Sequence, residues 1–120
     1  KIDKRIIVKN GTINAANEFY ENDVAIVGGG YTKFEAAIMM TPCIVISTQW
    51  HQLELADNFE KDSFSYHLGH FSRIPIKKIS NAIKNITKIN NRLKILKNYK
   101  RIVNLNGLEN ILNKTKIKLN

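Results

Sequence analysis

The sequence predicts an α/β domain, a three-layer parallel sheet with helices on both faces, and three observations carry that reading. Over the first 70 residues, short apolar β-branched runs alternate with stretches of helical character, the pattern of parallel strands joined by crossover helices. Two of those runs, residues 24–27 and 43–47, are apolar throughout instead of alternating, as strands covered on both faces are. The length of 120 residues, with 43% apolar and 24% charged side chains, supports one ordinary core and one domain.

In chain order, the first strand is expected at residues 5–9, where Ile6, Ile7 and Val8 follow a charged start. Gly11 and Thr12 then open a segment in which Ile13, Ala16, Phe19 and Tyr20 recur at spacings of three and four, so a helix over about 13–21 with Thr12 as its cap is expected. The strand at 24–27 empties into Gly28-Gly29-Gly30. A second helix begins at Thr32 and stops before Thr41-Pro42, since the residue before a proline is pushed out of helical geometry. The strand at 43–47 leads to a third helix over about 49–60, with Leu53, Ala56 and Phe59 on one face, and then to a strand at 64–68. The two fully apolar strands are expected at the centre of the sheet. Beyond Arg73, Ile76, Ile79, Ile83, Ile86, Ile89, Leu93 and Leu96 mark amphipathic helix broken near 87–91, and a last helix is expected over about 108–113.

The net charge of +9 is unevenly placed: residues 1–72 carry 6 basic and 9 acidic side chains, and residues 73–120 carry 13 basic and 1 acidic. A solvated basic helix face and a surface facing anions or a membrane both fit that C-terminal excess. The richness of the same region in Ile, Asn and Lys is what an A/T-rich genome yields, which weakens a functional reading of the lysines. No apolar stretch is long enough for a membrane span and no signal peptide is visible, so a cytoplasmic setting is expected. Cys43 has no cysteine to pair with and sits in an apolar run, as a small buried hydrophobe would. The chain opens on Lys1 and runs directly into its first apolar run, which points to a piece of a longer protein.

The chemistry is expected at Gly28-Gly29-Gly30. A strand that ends in glycines and enters a helix gathers free backbone N–H groups at one point, where phosphate binds well. Glycine there permits close approach by a ligand and supplies any positive φ the turn needs. The triplet lacks the third glycine of the dinucleotide fingerprint, so by itself it also fits a plain tight turn. Glu35, near the start of the following helix, is placed either to hold a ribose diol or to offset the helix dipole. Gln49, His51 and Gln52 follow the next strand at the same carboxyl edge and offer neutral donors and acceptors for hydroxyls and phosphates. His51 fits a surface histidine as well as a ligand contact, and Trp50 fits a packing contact as well as a stacking one. His67 and His70 end the fourth strand and can approach the same edge. No metal-ligand spacing joins the histidines, and neither metal nor cofactor is expected.

Taken together, the run from Asp23 to Ala37, then Thr41-Pro42-Cys43-Ile44-Val45-Ile46, then Gln49-Trp50-His51-Gln52 and Leu68-Gly69 resemble the C-terminal half of GT-B sugar enzymes. The resemblance is to the UDP-sugar hydrolase of pseudaminic acid biosynthesis and the spore-coat polysaccharide proteins similar to it, and more distantly to MurG-type N-acetylglucosaminyltransferases. It implies a Rossmann-like domain that binds a UDP-sugar. By that likeness Gly29, Gly30, Tyr31 and Thr32 receive the diphosphate, Glu35 holds the ribose, and Gln49 and Gln52 reach the phosphates or sugar, with Asn58 a weaker candidate. Tyr31 departs from the small residue common after the glycines. The likeness also implies a second, N-terminal domain that carries the hydrolase's key histidine, with the active site in the cleft between the two, and a donor domain that normally starts one strand earlier. The competing expectation is a noncatalytic module whose basic helices dock on nucleic acid or an anionic membrane surface. The lysines there are not interleaved with aromatics apart from Tyr99, so nucleic acid is not the expected partner, while peripheral membrane contact stays open.

Overall fold

The computed structural model describes residues 3–11 and 14–115. Helix α1 (Ala15–Tyr20) leads to strand β1 (Ala25–Gly28), helix α2 (Thr32–Ile38), strand β2 (Cys43–Ser47), a 3-10 turn over Trp50–Gln52, and helix α3 (Leu53–Ser63). Strand β3 (Tyr66–His70), a 3-10 turn over Phe71–Arg73, and helices α4 (Ile76–Ile86), α5 (Ile89–Ile102) and α6 (Gly107–Thr115) follow in order. The three strands form one parallel sheet in the order β1-β2-β3. The architecture is therefore α/β, with a parallel sheet flanked by helices.

Both crossovers step in the same direction, and connections of one hand then place α2 and α3 on the same face. Phe34 of α2 meets Phe59 of α3 edge to face there, with centroids 5.3 Å apart. Cys43, Val45 and Ser47 of β2 alternate onto this side and are fully buried. The register pairs Ile26 with Ile44 and Ile44 with Tyr66, which puts these three on the opposite side. Ile44 is fully buried under α4, which packs on β2 and β3, whereas Ile26 on the edge strand is half exposed. Among the described strands only β2 is thus central. The apolar run of β1 reflects burial of Val27 against α2 rather than cover on both faces.

Three local features set the ends of the strands. Met40 takes a left-handed conformation (φ 58°) to end the α2 turn, and the Thr41 hydroxyl donates to the Phe19 carbonyl at 2.8 Å, tying α1 to the start of β2. Phe64, also left-handed, closes α3. In β3 the register slips: Val45 faces His67 but Ser47 faces His70, so β3 carries one extra residue, and Gly69 at φ +101° absorbs it. That bulge turns His70 onto the row of Ser47.

The run 5–9 is not a strand. Ile6, Ile7 and Val8 are exposed, Ile7 at 81%, in a coil that follows a turn at Lys4 and Arg5. The Asp3 carboxylate accepts both the Arg5 backbone N–H and its guanidinium, and Lys9 pairs with Glu18 at 2.6 Å, so local polar contacts hold the segment against the surface instead of a ladder. The other elements lie where the sequence puts them, to within a few residues. Asn14 caps α1 through the Asn17 N–H. The expected cap Thr12 and first helical residue Ile13 lie outside the described residues. Several basic side chains of the C-terminal third stitch that region to the sheet: Lys78 donates to the Leu68 carbonyl, Arg92 pairs with Asp23, and Lys94 covers the Phe64 ring. No described helix is long and apolar enough to cross a membrane.

Candidate functional site

The carboxyl ends of the three strands converge on Gly28-Gly29-Gly30, on Thr48 to Gln52, and on the turn after His70. None of the three loop glycines has positive φ. Their reason is space. A Cβ on Gly29 would lie 2.6 Å from Ser47 Oγ and 3.0 Å from Gln52 Cβ, so Gly29 is the contact through which the loop seats on β2 and the Gln52 turn. Gly28 has no atom within 4 Å of a Cβ position, and Gly30 meets only the Gln52 amide nitrogen at 3.6 Å. These two present bare backbone at the edge of the sheet.

Gln52 is held by its own oxygen. The Thr48 and Gln49 backbone N–H groups donate to Gln52 Oε1 at 3.0 and 3.3 Å, joined by the Thr48 hydroxyl at 3.3 Å. With its acceptor committed, its Nε2 donor is the end that faces Gly30. Gln49 precedes the 3-10 turn and is exposed, as are Tyr31 (82%), Thr32, Glu35 and His51. Glu35 lies one helical turn beyond the loop, and its carboxylate makes no hydrogen bond to a described residue. Asn58 is placed elsewhere: it lines an apolar hollow of about 400 Å³ between α2 and α3, with Phe34, Leu55 and Phe59. Six residues of helix carry it roughly 9 Å from Gln52, down the face of the sheet.

Beneath the loop is a hydrogen-bonded line. Ser47 Oγ lies 2.9 Å from His67 Nε2, and His67 Nδ1 lies 2.6 Å from Asp57 Oδ1. The Asp57 carboxylate meets one ring nitrogen and the Ser47 hydroxyl the other, so the His67 imidazole bridges α3 and β2. The order is that of a nucleophile, base and orienting acid, but Ser47 is fully buried under Gly29 and no substrate reaches it. Its role is to brace β2, β3 and α3 under the loop, helped by Glu60, which accepts the His67 backbone N–H at 2.8 Å. Beside the loop, Trp50 stacks on His70 with centroids 3.8 Å apart and planes 3° off parallel, and the Arg73 guanidinium is 4.8 Å from the Trp50 ring. His70 therefore reaches the edge, as its position suggested, while His67 is spent below it. Among the described residues no His, Cys, Asp and Glu group of three or more suits a metal ion.

Sequence reasoning missed Lys33, whose ammonium lies 2.6 Å from both the Gly29 and Gly30 carbonyl oxygens. It also missed the joining of Ser47, His67 and Asp57. A signal for Lys33 was present, since positions 33, 36 and 37 share one helix face and the other two are alanines. Asp57 carries no comparable signal, because only the parallel pairing of β2 with β3 brings His67 alongside Ser47. No family model, curated protein or solved structure matches the chain.

Proposed function

We propose that the carboxyl edge of the sheet binds the diphosphate of a UDP-sugar. The chain is read as the donor-binding half of a GT-B-type glycosyltransferase or nucleotide-sugar hydrolase, in bacterial surface polysaccharide or nonulosonic acid biosynthesis. The observation that carries this reading is the glycine loop itself, anchored at Gly29 and open at Gly28 and Gly30, with the Gln52 amide donor 3.6 Å from the Cβ position of Gly30. Ligands of open parallel sheets lie along this edge. The resemblance in sequence supports the assignment of Glu35 to the ribose and of Gln49 and Gln52 to phosphate or sugar, and the free exposed Glu35 carboxylate agrees with it.

On this reading the loop holds the nucleotide diphosphate as the leaving group, and fixed N–H donors stabilise the negative charge that develops as the sugar bond breaks. The base and the attacking water or acceptor come from the N-terminal domain that the resemblance implies. Isothermal titration of the full chain with UDP and UDP-N-acetylglucosamine tests the reading. Saturable heat and a rise in thermal stability are expected. No heat at millimolar ligand, with melting unchanged, sinks it. Tight, steeply salt-dependent binding to nucleic acid without UDP binding would instead support a basic docking module.

A further inference from the structure

Lys33 is one of the largest fully buried side chains of the protein, at 0% exposure. Helical side chains lean back toward the amino end of their helix, and at position 33 that direction leads under the glycine loop. The ammonium there donates to the Gly29 and Gly30 carbonyls at 2.6 Å each and lies 4.5 Å from the Phe34 ring centroid. No carboxylate among the described residues pairs with it, since the ion pairs lie at Arg5, Lys9, His67 and Arg92. Burial pushes its pKa below the ordinary lysine value. A buried cation held only by neutral groups is costly.

The peptide geometry gives this arrangement a use. A planar trans peptide points its C=O and N–H in opposite directions. With the Gly29 and Gly30 carbonyls drawn inward to Lys33, the N–H groups of Gly30 and Tyr31 turn away from the core. Neither donates to a protein acceptor among the described residues. The loop thus presents two unpaired donors backed by an unneutralised positive charge.

We propose that Lys33 is the positioning residue of this loop: it turns the Gly30 and Tyr31 N–H groups outward and holds beneath them a buried charge that a phosphate or diphosphate anion completes. This rests on the reading of the loop as a diphosphate site for its ligand, but the orientation of the two amides stands on the ligand-free geometry alone.

The test compares the full-length wild type with Lys33→Met, which removes donors and charge, and Lys33→Gln, which keeps donors without charge and retains a polar group if the methionine variant fails to fold. Amide and carbonyl NMR shifts of Gly29, Gly30 and Tyr31 are read without ligand, and pyrophosphate and UDP are then titrated. Three results are expected. Lys33→Met moves the loop shifts, which Lys33→Gln partly restores. Both variants lose about ten- to a hundredfold in pyrophosphate affinity, the size of a charge-assisted contact. In the wild type, pyrophosphate shifts the Lys33 ammonium signal. Loop shifts unmoved in both variants, or unchanged pyrophosphate affinity in Lys33→Gln, overturn the proposal. A wild type that binds neither pyrophosphate nor UDP while the variants still move the loop shifts overturns the diphosphate reading and the charge half of the proposal, leaving the orienting half established.

Discussion

At the amino end of the strands the chain is closed by α5. Tyr99 is fully buried there; its hydroxyl receives the Cys43 backbone N–H at 3.3 Å and lies 2.7 Å from Ser65 Oγ and 3.3 Å from Cys43 Sγ. One side chain from a late helix thus ties β2 to the approach to β3, beside the Phe59 ring. At the carboxyl end of the same strands the polar groups are as ordered, but they stop short of pairing off. Among the described residues the Gln52 amide donor has no acceptor and the Lys33 ammonium has carbonyls but no carboxylate, while Glu35 is exposed. In a parallel sheet the strand ends of one kind all lie on one edge, so stabilising and ligand-facing groups can be kept at opposite ends. The difference teaches where substitutions should act: on stability at the amino end, on ligand at the carboxyl end.

The largest effect that can test this division is Phe59→Ala. Phe59 is 4% exposed between Phe34 and Tyr99, and its loss should cost about 3–5 kcal/mol in urea unfolding. A cost below about 1 kcal/mol would mean the helical side is loosely packed and the closed end is not the stable one. Next comes Tyr99→Phe, which leaves the Cys43 N–H buried without its acceptor and should cost about 1–3 kcal/mol.

The same knot has a pH signature. Burial holds the Tyr99 phenol and the Cys43 thiol above their ordinary values of 10.0 and 9.0. The unfolded chain therefore loses these protons first. The stability the two groups contribute is complete below about pH 8 and is lost as pH rises beyond it. Wild type should lose stability between pH 8 and pH 10.5 more steeply than a Cys43→Ala/Tyr99→Phe double variant, as measured by thermal melting; parallel curves would remove the knot from the account.

At the other end the two adjacent glycines separate packing from ligand approach. Gly29→Ala forces a Cβ onto Ser47 and Gln52 and should cost about 1–3 kcal/mol together with UDP binding. Gly28→Ala meets open space and should change stability by no more than about 0.5 kcal/mol, while weakening UDP binding. A Gly28→Ala protein that binds UDP as well as wild type would show that the ligand does not lie against this strand end.

Much of this plan was legible in local sequence. Continuous β-branched runs marked β1 and β2, Thr41-Pro42 marked the stop after α2, and the isoleucine steps marked α4 and α5, because each signal is a property of neighbouring residues. The glycine triplet located the edge but not its reason: the need at Gly29 comes from Ser47 and Gln52, which are distant in sequence, and not from its own φ. Residues 5–9 failed as a strand because a ladder needs a neighbour, and local contacts of Asp3 and Lys9 hold that run instead.

The sequence by itself determined the alternation of elements, the position of the loop and the uneven charge, all of which are written in short-range pattern. Tertiary structure alone decided that β2, among the described strands, is the central one, that Tyr99 seals one end of the sheet, and that Ser47, His67 and Asp57 form one line. It also placed the Lys33 ammonium, an ordinary surface charge by composition, under the glycines. These are matters of register and of where a side chain is carried when helices pack, and a one-residue bulge at Gly69 is enough to change them.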